Sequence, residues 1–511
     1  MTKTYEELKT RLAAIHDLRM ARAILGWDQH TKMPPKAGEI RAEQLGTLDR
    51  LSHELFTSDE IGALLEELRG EEEGLDPDTV EASVIRVTRR DYEKAKRVPS
   101  ELRAEMTRAG AIALSAWIEA REKSDFSIFL PYLKRNLELQ HEYIACFEDM
   151  GYETAYDVLL DDFDEGMRTT EVQAVFAELK RGLVPLIAEI AERSDRVDDS
   201  SLHGNFPVEQ QRTFALEVLE RIGFDHESWR LDPTVHPFAM SAATTDIRLT
   251  TRYDETELGV SLFATIHEFG HGFYEANVDP ALQRTPLSQV TSMSLHESQS
   301  RMWENLVGRG LPFWRFFYPR LQSVFPDQFG GVELDEYYRA INKVQPSLIR
   351  VEADEATYNL HVILRFELEQ QMLTGELPLE DLPEAWNARM AEYLGIEVPD
   401  DAHGVLQDVH WSGGAIGYFP TYSLGNVVSV QLWDQIRAEI PDLDSQFERG
   451  EFGELAGWLR ENLHRHGRKY TSRQMLERIT GGGMDPAPYL RYLREKLGEI
   501  YGLPVEAGAA A

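Results

Sequence analysis

The chain has 511 residues, 42% of them hydrophobic, enough to bury a large core. Its 53 Lys and Arg stand against 88 Asp and Glu, a formal charge of −35, which argues against nucleic acid or an anionic membrane as a partner. The acid is spread along the chain, as in a solvated acidic surface, and the single cysteine, Cys146, excludes an intrachain disulfide and offers no cysteine cluster for a metal.

The N-terminus, Met-Thr-Lys-Thr-Tyr-Glu-Glu, carries charge where a signal peptide needs an apolar run, and nothing later approaches ~20 uninterrupted apolar residues. A soluble, cytoplasmic protein is the expectation. From there to about residue 230, apolar residues recur at three and four positions between charged ones, as in Leu8, Leu12, Ile15 and Leu18, and again in Val175, Leu179, Leu183, Leu186 and Ile190. That period predicts helix after helix. The breaks are short and polar: Trp27 to Gly38 with its two prolines, and Ser194 to Asn205. At Asp246 to Tyr253 the period changes to two, with Ile247 and Leu249 alternating against Arg248 and Thr250, which predicts a short half-buried strand. After Leu258 the helical period returns, interrupted by a glycine-rich loop from Gly413 to Asn426 and by Gly481 to Gly483. With no internal repeat and no low-complexity block, a mainly α chain is expected: one large helical body with a small β element.

The segment Leu258 to Ala276 contains His267-Glu-Phe-Gly-His271. Two histidines at i and i+4 lie one above the other on a helix, about 5–6 Å apart at Cβ, so both imidazoles reach one ion. Glu268 then stands where it can take a proton from a water in the metal's open position and pass it to a leaving amine. On the opposite side of this helix, Leu262, Ile266, Phe269 and Phe273 form an apolar stripe for anchoring. Gly270 and Gly272 permit close approach by backbone or substrate, or simply tighter helix packing. Two histidines satisfied by hydrogen bonds in a polar interior are the structural alternative.

A catalytic zinc takes three protein ligands and keeps one place for water. Ser294 to Glu304 reads as a helix, and its Glu297 lies 26 residues beyond His271, far enough for a turn and a return. His296 and Glu304 compete with it on sequence alone. Glu297 is preferred, because Met293, Leu295 and Trp303 mark the helix as largely buried and so argue against an idle surface carboxylate.

Six patterns in order then resemble the carboxypeptidase Taq, or M32, family of metallocarboxypeptidases: His236-Pro-Phe238, Asp246 to Thr250 (DxRxT), His267 to His271, His296-Glu-Ser-Gln299, Ile349 to Asp354 (IRxxAD) and Gly404 to Trp411 (GxxQDxHW). The resemblance implies a zincin fold similar to that of neurolysin and angiotensin-converting enzyme, with a deep active-site cleft. It implies one domain over residues 1–511, with 1–230 walling the cleft and 231–511 carrying the catalytic region. It also implies that His267, His271 and Glu297 bind one Zn2+ per chain, or Co2+, that Glu268 is the general base, and that the protein forms a homodimer. The implied activity is removal of single residues from peptides with a free C-terminus, with broad side-chain tolerance.

The remaining motifs make chemical sense beside this. A terminal carboxylate is best read by a planar guanidinium fork, and Arg350 and Arg248 are the candidates; ordinary salt bridges to Asp354 and Asp246 are their structural alternative. His410, with Tyr418 and Tyr422 in the following loop, resembles the His and Tyr arrangement of the wider helical zincin group, which implies donors for an oxyanion. His236 either contacts substrate or caps a turn before Pro237, and Asp408 is a candidate to orient a metal histidine. A dipeptidyl carboxypeptidase or oligopeptidase of the same chemistry, or a non-catalytic peptide-binding protein, are the competing functions.

Overall fold

A computed structural model describes residues 2–504. It is helical nearly throughout, with a single three-stranded sheet, as the periodicity predicts. No helix among the described residues is long and apolar enough to cross a membrane. Packing divides the chain into two compact units, each assembled from three stretches. The first comprises the described chain up to Lys96 with Ser200–Tyr338 and Leu432–Gly481; the second comprises Arg97–Asp199, Arg339–Gln431 and the described chain from Gly482 onward.

In the first unit, the opening helix Lys3–Thr31 starts on Thr2, whose hydroxyl accepts from Tyr5 N. Its stripe of Leu8, Leu12 and Ile15 is buried against Ile61, Leu64 and Leu65 of the helix Asp59–Glu67. Leu18, the fourth member of the expected stripe, is only half-buried. The helix also runs four residues past Trp27, where the sequence predicts a break: Trp27 is buried, and the guanidiniums of Arg230 and Arg248 lie over its ring. Burying that indole favours helix through Thr31.

The sheet belongs to the same unit and has the order β1 (Trp229–Pro233), β3 (Asp246–Thr251), β2 (Ala239–Ala243), with β1 parallel and β2 antiparallel to the central β3. β3 is the strand the alternation predicts, and Ile247 and Leu249 are fully buried. The helix Leu258–Ala276 covers them. Its stripe of Leu262, Ile266, Phe269 and Phe273 is buried throughout, each side chain worth roughly 1.5–3 kcal/mol. Phe269 stacks on Trp229 of β1 at 5.5 Å between centroids.

The second unit contains the helix Thr169–Ala191, whose stripe from Val175 to Ile190 is buried as its spacing requires. It also contains the helical pair Ser100–Lys123 and Phe126–Ala145. These two turn on Ser124, in left-handed conformation at φ 50°, and on Asp125, whose carboxylate accepts from Ser127 N. The expected glycine-rich loop is shorter than its composition suggests: a 3-10 turn forms at His410–Gly413, and a regular helix already begins at Pro420.

Candidate active site

The candidate metal centre lies wholly in the first unit. His267 and His271 project from the helix Leu258–Ala276, and Glu297 from the helix Met293–Arg301. One ligand atom from each falls within 4.8 Å of the others. Glu297 Oε2 is 3.8 Å from His267 Nε2 and 3.5 Å from His271 Nε2. Neither competing residue joins the cluster: His296 pairs with Glu275, and Glu304 binds the far side of His267.

This convergence depends on two glycines. A Cβ at Gly270 would stand 2.5 Å from Gln299 O and 2.6 Å from Ser300 Cα, so only glycine lets the two ligand helices approach this closely. At Gly272 a Cβ would meet Ile247, Leu249 and Trp229 of the sheet within 3 Å. Both glycines therefore serve packing. One sets the distance between the ligand helices and the other seats the histidine helix on the sheet.

Charge is arranged to keep the ligands ready. Burial pushes the His271 imidazole down to about 3, helped by the neighbouring His296 and His267, so its ring is neutral and offers a lone pair. Burial alone would lower His267 as well, but Glu297 and Glu304 beside it outweigh this and raise it. Glu297 resists burial because Arg301 and His267 hold its carboxyl well below the usual range. Arg301 Nε donates to Glu297 Oε1 at 2.7 Å and Arg301 Nη1 to Glu304 Oε2 at 3.3 Å. The guanidinium thus takes one oxygen of Glu297 and leaves Oε2 facing the histidines. Two imidazole nitrogens and one carboxylate oxygen are the donor set of a catalytic divalent metal.

Glu268 adjoins the ligands and is 6% exposed. Burial is the main reason its carboxyl is pushed up to about 7, against the opposing pull of His267. A dication bound beside it would draw that value down.

His267 Nδ1 donates to Glu304 Oε2 at 2.9 Å. Asp408, the sequence candidate for orienting a histidine of the cluster, instead accepts from Arg350 and Arg365, and Glu304 is the carboxylate on His267. The signal for Glu304 was present in the sequence: Glu297, Arg301 and Glu304 at i, i+4 and i+7 share one helix face.

The second unit holds Arg350 and His410. Arg350 is 4% exposed, and three of its five N–H groups are used: Nε and Nη2 on Asp408, and Nη1 on Tyr358 Oη at 2.7 Å. Its partner is Asp408; Asp354 instead accepts from Thr357 and Gln345. Asp408 also accepts from Arg365 Nε at 2.7 Å, so one carboxylate answers two guanidiniums, and burial with the nearby Arg350 brings Arg365 down to about 10. Neither Arg365 nor Gln407, which accepts from Arg350 N and from Arg365 Nη2, was singled out from sequence.

His410 Nε2 stands 3.2 Å from Tyr422 Oη, and burial lowers its ring to about 4. Tyr422 is thus within hydrogen-bonding reach of His410, and Tyr418 packs edge-on to Phe163 with its ring 5.7 Å from that of His410. The stretch around His410 is pinned by its backbone. Trp117 Nε1 donates to Leu406 O, Asn136 Nδ2 to Trp411 O and Ser412 O, and Gln140 Nε2 to Gly414 O. Glu369 accepts from Trp411 Nε1, Gly417 N and Tyr156 Oη.

The other two candidates lie in the first unit. Arg248 forms a fork with Asp246 at 2.8 and 2.9 Å, the ordinary salt bridge its sequence neighbour offered. His236 is exposed in the bend between β1 and β2. Thr250 ties the motifs on either side of this bend: Phe238 N donates to its hydroxyl at 2.7 Å and the hydroxyl donates to Phe238 O at 2.8 Å. The six sequence patterns thus lock together in three pairs, HPF with DxRxT, HExxH with HESQ, and IRxxAD with GxxQDxHW.

Comparison with known proteins agrees with this geometry. The model of the carboxypeptidase Taq (M32) metallopeptidase family matches residues 7–497. The chain is 44% identical over 487 residues to thermostable carboxypeptidase 1 of Thermus thermophilus, covering 94% of this chain and 95% of that one. It is 40% identical over 500 residues to carboxypeptidase 1 of Bacillus subtilis, covering 98% and 99%. The crystal structure of an M32 carboxypeptidase from Deinococcus radiodurans superposes with a TM-score of 0.95 at 41% identity, covering 98% of this chain and all of that one. The fold is therefore the helical zincin-like fold of these enzymes, and the chain belongs to the carboxypeptidase Taq (M32) family of metallopeptidases.

Proposed function

We propose that this metallocarboxypeptidase removes single amino acids from the free C-terminus of peptides, with broad side-chain tolerance, using His267, His271 and Glu297 to hold a zinc ion and Glu268 as general base. The observation that carries the reading is the convergence of His267, His271 and Glu297, with the buried carboxyl of Glu268 one residue from the first of them. A group that must take a proton and then give it back works best there. Zinc bound by the cluster would supply a Lewis acid and acidify its water; cobalt fits the same donors. Glu268 takes the proton of the attacking water and delivers it to the departing amine.

Recognition of the substrate carboxylate is assigned to Arg350. Asp408 leaves one positive charge uncompensated among Arg350 and Arg365, and two N–H groups of Arg350 stay available for a carboxylate. His410 with Tyr422, and Tyr418 beside them, are assigned to the oxyanion. Arg248 and His236 are assigned to substrate binding. A cytoplasmic homodimer completes the reading, with sedimentation as the check on its assembly.

The test is mass spectrometry of peptides carrying free or amidated C-termini. Single-residue ladders from free acids only, abolished by a chelator and restored by zinc or cobalt, support the reading. Dipeptide or internal products would replace it with a dipeptidyl carboxypeptidase or oligopeptidase. Glu268→Gln should keep the metal and lose turnover by about 100-fold or more.

A further inference from the structure

The two metal histidines are held by different devices. His267 donates its Nδ1 proton to Glu304, the usual way of fixing a ligand imidazole. His271 Nδ1 is buried and, among the described residues, has no hydrogen-bond partner. An imidazole whose Nδ1 is unpartnered is less firmly fixed about its Cβ–Cγ bond, and a ligand free to turn binds a metal weakly. Something else must fix this ring.

What lies against it is another imidazole. His296 packs on His271 with 4.2 Å between ring centroids and 31° between planes. His296 is 9% exposed and its Nε2 is 3.1 Å from Glu275 Oε1. Glu275 lies one turn beyond His271 on the same helix, so His271 and Glu275 share a face, and His296 enters between them from the helix carrying Glu297. Behind it, Tyr274 stacks on His464 at 4.8 Å, and His464 Nε2 is 2.8 Å from Gln299 Oε1. The His296-Glu-Ser-Gln299 segment is thus held at both ends, by Glu275 and by His464, with the ligand Glu297 between.

We propose that His296 is a positioning residue: seated beside Glu275, it fixes the His271 ring by packing against it, in place of the hydrogen bond that His267 donates to Glu304. The inference rests on the reading that His267, His271 and Glu297 bind the metal. It explains why a histidine stands immediately before the third ligand without being one. With 4.2 Å between centroids, the His296 ring blocks rotation of His271 toward it.

The test is zinc affinity by chelator competition, with the absorption bands of the Co2+-substituted protein and the melting temperature of the metal-free protein, for His296→Ala and His296→Phe. His296→Ala should weaken zinc about 10–100-fold and alter the Co2+ bands, while the metal-free melting temperature stays close to that of the parent. His296→Phe restores a flat ring and should bind within about threefold of the parent. Parent-like affinity and bands in His296→Ala would overturn the proposal. So would a His296→Phe variant as weak as His296→Ala, which would place the effect in the Glu275 pair rather than the stack. His267→Ala is the control on the underlying reading: if it binds zinc as tightly as the parent, the ligand assignment fails, whatever His296 does.

Discussion

Glu304 Oε2 receives the Nδ1 proton of His267 at 2.9 Å while Arg301 and Arg309 face the same carboxylate. Burial works against its charge, yet these partners keep Glu304 down at about 2, so it accepts from His267 at any ordinary pH. Glu304→Ala should therefore weaken metal binding about 10–100-fold, with Glu304→Gln, which keeps an acceptor, losing less. Chelator competition reads this directly. Unchanged affinity in Glu304→Ala would show that the histidine needs no such support.

The glycines of the histidine helix separate two effects that a single substitution usually mixes. Gly270→Ala would drive its methyl into the backbone at Gln299 and Ser300, which cannot rotate away. The expected cost is about 1–3 kcal/mol of stability, and because the two helices carry different ligands, metal affinity should fall too. Gly272→Ala meets only side chains of the sheet. It should lower the melting temperature while leaving metal affinity per folded molecule intact. Equal metal affinity in both variants would disprove the claim that Gly270 sets the ligand spacing.

Much of this was legible where the information is local. The ligand helix Leu258–Ala276 announces itself because its apolar stripe and its histidines obey one helical period. β3 is legible for the same reason with period two. β1 and β2 are not: Trp229–Pro233 ends on a proline, Ala239–Ala243 is small and half-buried at every position, and both exist because β3 offers them a partner. The first turns of the helix from Pro420 fall within the stretch Gly413 to Asn426, whose glycines predict a loop. In the fold Ser423 and Asn426 are buried, and Asn426 Nδ2 donates to Asn359 Oδ1 at 3.0 Å. His267, Glu268 and His271 stand out by their spacing, whereas Glu297 is preferred to His296 and Glu304 only through the burial of its helix and the family resemblance. The partners of Arg350 could not be named from spacing, since Asp408 lies 58 residues away and only the fold brings it there.

That distant pairing has a measurable consequence. Asp408 is the carboxylate between Arg350 and Arg365, all three buried or nearly so. Removing one partner of a buried ion pair leaves charge without compensation, at a cost of about 3–5 kcal/mol. Asp408→Asn keeps the shape and loses the charge, so denaturant unfolding should show a loss of that order. A loss under about 1 kcal/mol, the range of exposed pairs, would mean that water or rearrangement compensates the arginines.

Glu369 carries a pH dependence of predictable sign. Burial pushes its carboxyl up to about 7 despite hydrogen bonds from Tyr156, Trp411 and Gly417. The folded state therefore holds a proton that the unfolded chain releases near its ordinary value of 4.5. Its contribution to stability is complete below that value, declines as pH rises from there to about 7, and is flat above, a total change of roughly 3 kcal/mol. Glu369→Gln cannot titrate. It should be less stable at low pH, where its amide N–H₂ opposes one of the three donors, but its stability should fall less between pH ~5 and ~8 than that of the parent. Denaturant unfolding of both proteins in chelator at these two pH values isolates the difference, because every other titrating group is common to them. A parent and variant that lose the same stability over this interval would show that Glu369 stays ionised in the fold, its three donors outweighing its burial.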